Sequence, residues 1–189
     1  MKVAAILPAA GLGTRMGHEV GRKQFLLLDG IPVLRHTIRK FLACPLIHEI
    51  VVTVRPDDVE FAREILAQEP AGKPVRVVEG GETRQQSVEN GLLSLGGDID
   101  LVAVHDAVRP FIEVECIERV IHEAEKHGAA IVGIVPVDTV KQVHLHKIRA
   151  TIPRDRLVLA QTPQVFRREL LREAYAKANE DQFTGTDEA

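Results

Sequence analysis

Strand-like and helix-like patterns alternate along this sequence, and that alternation restricts the fold more than any other feature. Uninterrupted apolar runs at 3–7 and 101–104 are typical of buried strands. Between such runs, apolar residues recur at helical spacing, as Leu34, Ile38 and Phe41 do. Strands separated by helices favour parallel pairing, because each connection must return the chain to the same end of the sheet. The pattern therefore predicts an α/β fold with a mainly parallel sheet.

One segment departs from the alternation. Residues 136–154 contain short alternating apolar pieces without a long helical face. These pieces predict a β-hairpin arm that leaves the sheet. Because an isolated hairpin is marginal in water, we expect the arm to pair with a second copy of the chain in a homodimer. Helical spacing resumes over 168–178.

The composition excludes several classes of function. A net charge of −3 leaves no basic footprint for a nucleic-acid polymer. No apolar run reaches membrane-spanning length and no signal peptide precedes the first strand, so we expect a cytoplasmic protein without a membrane partner. Cys44 and Cys116 are too few for a disulfide framework, and we expect reduced thiols. The length of 189 residues suits one domain over 1–189.

The loop after the first strand is built from small residues and followed by cations. Its backbone amides could approach a polyanion closely, since no large side chain protrudes. Arg15 and Lys23 add positive charge on either side. The combination predicts a site for nucleotide phosphates, formed by Pro8, Ala9, Ala10, Gly11 and Gly13.

Two well-known phosphate motifs do not fit this loop. A dinucleotide fingerprint requires a third glycine where Met16 stands. A P-loop requires a Gly-Lys-Ser/Thr ending, but Lys23 lies between Arg22 and Gln24. An ordinary glycine-rich surface turn is the alternative for the glycines taken by themselves.

Polar segments follow three of the predicted strands. They cover residues 9–15, 80–87 and 106–109. In open parallel sheets, ligands bind beyond the carboxyl ends of the strands. We therefore expect these three segments to converge on one site.

The second polar segment, GGETRQQSV, offers Gly81 for close approach and the Ser87 hydroxyl as donor and acceptor. The alternative is a plain helix N-terminus capped by Glu82 or Thr83. The residues alone leave both interpretations open.

The third segment, VHDAVRPF, places Asp106 directly after an apolar strand. Carboxylate oxygens suit magnesium, so Asp106 is a candidate for a Mg²⁺ site, either as a direct ligand or through water. A helix cap or an ion pair with Arg109 is the alternative for such an aspartate.

A fourth set of residues combines cations with hydroxyl groups, as a monophosphate pocket requires. Spacing alone supports it weakly, because charged residues on an arm are usually solvated. The set consists of Thr139, Lys141, Arg154 and Thr162.

The segments LPAAGLGTRMG and KQFLLLDGIPVLRHTI resemble the signature loop of nucleotidyltransferases that activate sugar phosphates. VHDAVRP and QTPQVF extend the resemblance, which covers the chain from Leu7 to Ala189. Within that group the sequence is most similar to the 2-C-methyl-D-erythritol 4-phosphate cytidylyltransferase family of non-mevalonate isoprenoid biosynthesis. Arg22 departs from the family pattern, which has proline before the loop lysine. The resemblance implies a three-layer, Rossmann-like fold and transfer of CMP from CTP to the polyol phosphate, with release of pyrophosphate.

The resemblance also implies roles for the candidate residues. Arg15 and Lys23 would act on the triphosphate as catalytic residues, while Gly81 and Ser87 would hold the pyrimidine base and ribose. Asp106 would lie near both magnesium and the second substrate. The remaining residues would bind that substrate, partly across a dimer interface: Arg109, Thr139, Lys141, Arg154, Thr162 and Thr186.

Two other functions stay open. Cytidylyltransferases for other polyol phosphates, such as ribitol 5-phosphate, share most of these motifs. A nucleotide-binding domain without turnover is the second, because the family continues beyond the position of Ala189 through further sheet and helix with another lysine. We expect a chain without that tail to be less active.

Overall fold

The alternating pattern builds a central sheet flanked by helices. The computed structural model describes residues 1–11, 22–70 and 72–189. The strands are β1 (Val3–Pro8), β2 (Leu27–Leu28), β3 (Ile31–Pro32), β4 (Ile47–Val54), β5 (Val75–Glu79), β6 (Leu101–Val104), β7 (Ala129–Ile134), β8 (Val140–His144), β9 (Lys147–Ile152) and β10 (Leu159–Arg167). The helices are α1 (Val33–Ala43), α2 (Val59–Leu66), α3 (Arg84–Ser94), α4 (Val114–His127) and α5 (Arg168–Glu180), and 3-10 turns cover Lys23–Phe25, Pro56–Asp58 and Arg154–Arg156.

The central sheet is mainly parallel, which confirms the prediction. Its six strands have the order β5-β4-β1-β6-β10-β7. β1 pairs in parallel with β4 and β6, and β4 pairs in parallel with β5. β10 runs antiparallel to both β6 and β7. Because β1, β4, β5 and β6 run in one direction, their carboxyl ends meet at the same edge of the sheet.

The core lies on both faces of the sheet and gives three layers. In β1, Val3, Ala5 and Leu7 face the cluster formed with α1, α2 and α4. The alternate residues Ala4 and Ile6 face the opposite cluster, which contains residues of α3 and α5. This two-residue alternation explains why the strand is continuously apolar: each of its faces is covered by helices.

The arm predicted over 136–154 is present as a separate two-stranded sheet. β8 and β9 pair antiparallel, and the turn between them carries Leu145 and His146 at φ 48° and 60°. Side chains on both strands are exposed, including the apolar Val143 and Ile148. A hairpin with so little core of its own gains stability by packing against another surface.

Within the described ranges, no helix combines the length and apolar character needed to cross a bilayer. Cys44 and Cys116 are free thiols, and Cys44 is buried in the core.

Gly80 allows the first loop to lie against the turn after β5. A Cβ added to Gly80 would lie 2.8 Å from the Cβ of Ala10 and 2.9 Å from Oγ of Ser87. Both distances are shorter than van der Waals contact, so a side chain here would push apart two segments that form the edge of the sheet.

We predict that Gly80→Ala lowers the free energy of unfolding by about 1–3 kcal/mol, because the added methyl group overpacks this contact. Chemical denaturation measures the change. Gly97→Ala is the matched control, since nothing lies within 4 Å of its added Cβ. Equal stability of Gly80→Ala and the wild type would show that the two loops separate without cost.

Candidate functional site

A cavity of about 490 Å³ lies at the carboxyl ends of β1, β5 and β6, where the three polar segments were expected to converge. It contains most of the predicted nucleotide-site residues. Those that line it are Pro8, Ala9, Ala10, Gly11, Gly81, Ser87 and Asp106, and the predicted catalytic residue Lys23 and substrate residue Arg109 line it as well. Gly13 and Arg15 lie outside the described residues.

Gln24 attaches the lysine-bearing turn to the first loop. The Ala9 N–H donates to Thr53 O at 2.7 Å, which fixes the loop beside β4. Gln24 is buried, and its Nε2 donates to Ala9 O at 2.6 Å. Lys23 is the adjacent residue and lines the cavity. Gln24 was not predicted as a site residue, because a buried glutamine shows no distinguishing pattern in the sequence.

The turn from Gly81 to Ser87 combines both of the interpretations left open by the sequence. Thr83 caps α3, since its Oγ1 accepts from Gln86 N at 3.1 Å while the Gln86 side chain accepts from Thr83 N. Ser87 is buried, accepts from Gly81 N at 3.1 Å and donates to Thr83 O at 2.8 Å. The cap therefore shapes a turn whose inner side lines the cavity, and contact of Ser87 with a nucleotide stays a prediction.

Asp106 is held between two arginines. Arg84 Nε donates to its Oδ1 at 3.1 Å, and Arg109 Nε donates to its Oδ2 at 2.9 Å. Burial acts to raise the pKa of Asp106, but the positive charge of Arg84 and the bond from Arg109 outweigh it and lower the pKa. The ion pair with Arg109, one of the alternatives for this aspartate, is thus present, and Asp106 is a carboxylate at neutral pH.

Arg84 is the main cavity residue that was not predicted from the sequence. Besides Asp106, it contacts Glu188, with Nη1 donating to the two carboxylate oxygens at 2.7 and 2.9 Å. The Glu188 side chain is 2% exposed and also accepts from Tyr175 OH at 3.1 Å. Burial raises the pKa of Glu188, although Arg84 opposes that shift. The signal in the sequence was the arginine that opens the helix in GGETRQQ, directly after a small-residue turn.

Five of the candidate substrate residues do not line the cavity. Thr139 and Lys141 are exposed on or beside the arm, where Lys141 Nζ donates to Thr151 Oγ1. Arg154 is exposed and donates to Val137 O, and Thr186 is also exposed. Thr162 is buried, and its hydroxyl contacts His105. These residues are not gathered in one pocket of the single chain.

The cavity fits a magnesium ion brought in by a ligand better than one held by the protein alone. Within the described segments, no cluster of three or more His, Cys, Asp or Glu side chains could hold a metal. Mg²⁺ commonly takes one or two protein carboxylates and completes its coordination with substrate phosphates and water. Asp106 supplies one carboxylate in the cavity, but both of its oxygens already accept from arginines.

We predict that Glu188→Ala lowers the free energy of unfolding by about 2 kcal/mol or more, since Arg84 and the Tyr175 hydroxyl lose a buried charged partner. Thermal unfolding followed by circular dichroism measures the change. Glu180→Ala is the control, because its pair with Lys177 is exposed and contributes little. A melting temperature equal to that of the control would show that Glu188 is not needed to hold Arg84.

Comparison with known proteins gives a consistent result over the whole chain. The sequence profile of the 2-C-methyl-D-erythritol 4-phosphate cytidylyltransferase family matches residues 3–189. The proteins of that name from Solibacter usitatus and Acidobacterium capsulatum are 57% and 52% identical to the chain, each over 100% of it. The aligned regions cover 82% and 83% of those two proteins.

Solved structures lead to the same family. The 4-diphosphocytidyl-2C-methyl-D-erythritol synthase of Anaerococcus prevotii superposes with a TM-score of 0.87 at 31% identity, over 99% of this chain and 80% of its own. The 2-C-methyl-D-erythritol 4-phosphate cytidylyltransferase of Thermus thermophilus superposes with a TM-score of 0.78 at 32% identity, over 100% and 81%. The resemblance read from the motifs is thereby confirmed, and the chain belongs to the 2-C-methyl-D-erythritol 4-phosphate cytidylyltransferase family.

Proposed function

We propose that this protein transfers CMP from CTP to 2-C-methyl-D-erythritol 4-phosphate, with release of pyrophosphate, in isoprenoid precursor biosynthesis. Family membership over residues 3–189 supports the reaction. The observation that carries it is the cavity at the carboxyl edge of the sheet, where the small-residue loop lies beside Lys23, Arg84 and Arg109. Loop amides and cations together are what a triphosphate requires.

The reaction transfers a nucleotidyl group, and it depends on neutralisation of negative charge more than on a general base. A phosphate monoester has its second pKa near ~6, so the attacking group is already anionic at neutral pH. Its oxygen forms a bond to the α-phosphorus of CTP, while the bond from that phosphorus to the bridging oxygen of the β-phosphate breaks. Pyrophosphate leaves with the electron pair. The barrier is the approach of one anion to another, which nearby cations lower.

The described residues divide this task between two sides of the cavity. The loop from Pro8 to Gly11 and the cation Lys23 would hold and neutralise the triphosphate, and Arg15 would act with Lys23 at the reacting phosphorus. The turn carrying Gly81 and Ser87 would hold the base and ribose. Magnesium bound to the triphosphate would order its phosphates and draw charge from the leaving group, with Asp106 as its protein carboxylate, directly or through water.

The arm supports a two-fold homodimer in which each subunit completes the other's site. Apolar side chains are exposed on the arm and on the adjoining ends of β7 and β10. A two-fold contact that uses the same patch on both subunits would bury this surface and give the hairpin a packing partner. Thr139, Lys141 and Arg154 would then serve the second-substrate site of the partner, which explains why they lie away from the cavity of their own chain. The exposed apolar residues of this surface are Ile134, Val135, Val137, Val143, Ile148 and Leu159.

The direct test is pyrophosphate release with purified protein, CTP, Mg²⁺ and a panel of polyol phosphates. We expect turnover with 2-C-methyl-D-erythritol 4-phosphate to exceed that with ribitol 5-phosphate. ATP, GTP and UTP are the nucleotide controls. Faster turnover of ribitol 5-phosphate would indicate that this polyol phosphate is the substrate. CTP binding without turnover of either compound would indicate a nucleotide-binding domain without catalytic activity.

Lys23→Ala should lower kcat by about a hundredfold or more while CTP binding weakens much less, if the lysine acts mainly on the transition state. Steady-state kinetics and calorimetric binding of CTP separate the two effects. Lys126→Ala is the matched control, since its ammonium group lies on the exposed side of α4 and pairs with Glu123. A near-normal kcat for Lys23→Ala would remove this lysine from the mechanism.

Asp106→Asn should raise the Mg²⁺ concentration required for half-maximal rate, because a neutral amide is a poorer partner for a hard cation. Magnesium titrations at saturating CTP measure the requirement. Full turnover in chelator would contradict a role for any divalent ion. An unchanged titration curve for the variant would leave the ion in place and exclude Asp106 as its partner.

The dimer predicts complementation between two inactive variants. Lys23→Ala damages a site in its own chain, and Arg154→Ala would damage the site of the partner. When the two variants are unfolded together and refolded, about half of the dimers are mixed, and each mixed dimer has one intact site. About a quarter of the wild-type rate should return. No recovery, with subunit exchange verified by mass spectrometry, would mean that each site is built from one chain.

A further inference from the structure

His105 lies directly behind the cavity and has no contact with it. The residue follows β6 and precedes Asp106, and it is 1% exposed. Its ring packs against Phe41 of α1, with the ring centroids 5.0 Å apart. A histidine in such a place can act on the site only through the groups that it holds.

The two ring nitrogens of His105 have partners with different chemistry. Nε2 lies 3.0 Å from the carbonyl oxygen of Arg109, which can only accept, so Nε2 must carry the hydrogen. In a neutral ring Nδ1 is then an acceptor, and it lies 3.0 Å from Thr162 Oγ1. The Thr162 hydroxyl has a single hydrogen, which this contact uses. Its oxygen accepts in turn from the Asp106 N–H at 3.3 Å.

Each of these bonds therefore has one permitted direction. The Asp106 N–H donates to Thr162, the Thr162 hydroxyl donates to His105, and His105 donates to the Arg109 carbonyl. In a doubly protonated ring, Nδ1 would be a donor, so the Thr162 hydroxyl could no longer donate to it. The ring is 1% exposed, and the neutral form with its hydrogen on Nε2 is the form that fits both of its contacts.

We propose that His105 is a positioning residue whose directed hydrogen bonds, the His105 relay, hold Asp106 and Arg109 in their working geometry. The relay ties both ends of the 106–109 turn to Thr162 of β10. A further bond, from Thr37 Oγ1 of α1 to Ala107 O at 2.7 Å, fixes the middle of the same turn. The backbone of the turn is thus held from the buried side, which leaves the Asp106 and Arg109 side chains to face the cavity.

The relay also gives Thr162 a different task from the one its motif implied. A hydroxyl in QTPQVF was expected to bind the substrate phosphate. In the structure Thr162 is 7% exposed, and its hydroxyl accepts from the Asp106 N–H and donates to His105 within the relay. Thr162 thus contributes to the site through the position of Asp106, and direct contact of its hydroxyl with the substrate phosphate stays a prediction.

The tautomer of His105 provides a test that does not depend on catalysis. Nitrogen NMR of protein labelled at histidine distinguishes a ring protonated at Nε2 from one protonated at Nδ1. The relay requires the Nε2–H form of His105 near neutral pH, and the His105→Gln variant identifies its signals. A ring protonated at Nδ1, or at both nitrogens, overturns the relay.

Activity of matched variants tests the positioning role, which rests on the proposed cytidylyl transfer. Thr162→Val removes the hydroxyl at nearly constant volume and should lower kcat/KM for the polyol phosphate by about tenfold or more, as misplaced groups typically do. Thr162→Ser restores the hydroxyl and should recover most of the loss. Ser94→Ala removes a part-buried hydroxyl that donates to Gly91 O at the far end of α3, and it should leave the kinetics unchanged.

Three variants of His105 complete the experiment. Asn can accept near the Nδ1 position and Gln can donate near the Nε2 position, so each keeps one half of the relay, whereas Phe keeps neither. We expect the order wild type, then Asn and Gln, then Phe in kcat/KM, measured below the melting temperature of every variant. Wild-type kinetics in His105→Phe would overturn the proposal. If the wild-type protein itself does not turn over, the proposed function fails while the tautomer still decides the relay.

Discussion

Burial of β1 on both faces and along both edges is the constraint on which the rest of the structure depends. β4 and β6 pair with its edges, and its alternating side chains enter the two halves of the core. The chain beyond Pro8 must leave this central position between two neighbouring strand ends. Ala9 and Ala10 begin this exit, where a Cβ added to Gly80 would lie only 2.8 Å from the Cβ of Ala10. The location of the site is therefore a consequence of packing the first strand in the middle.

Charge is arranged around this edge as an alternating series. Glu188, Arg84, Asp106 and Arg109 are linked by three ion pairs that join the C-terminal segment, α3 and the turn after β6. Each carboxylate limits the repulsion between neighbouring cations, so that two guanidinium groups can be held close together beside Lys23. The His105 relay supports the same turn from behind with uncharged groups. The turn is thus held by neutral hydrogen bonds, while the positive charge at the cavity comes from the arginines and the lysine.

The features that sequence predicted well are those that depend on local pattern. The apolar runs gave the strands, the helical spacing gave the helices, and the short alternating pieces gave the β8–β9 arm. The convergence of loops followed from the rule for parallel sheets. Arg84 was missed because its position depends on Glu188, which lies 104 residues further along the chain. Thr162 was predicted to bind the substrate phosphate, but its burial against His105 depends on β10 running antiparallel beside β6, which no local pattern reveals.

The pairing of Asp106 with two arginines determines how the site responds to an anion. Arg84 and Arg109 already pair with Asp106, so an anionic group that binds to either arginine would compete with an internal counter-ion and would not meet bare positive charge. The free energy gained from each arginine is then the difference between two ion pairs, which is smaller than the energy of either. Such a site discriminates by geometry more than by total charge, because a ligand must match the fork of both guanidinium groups to compete with the carboxylate. When the anion left, Asp106 would pair with both arginines again, as it does in the structure.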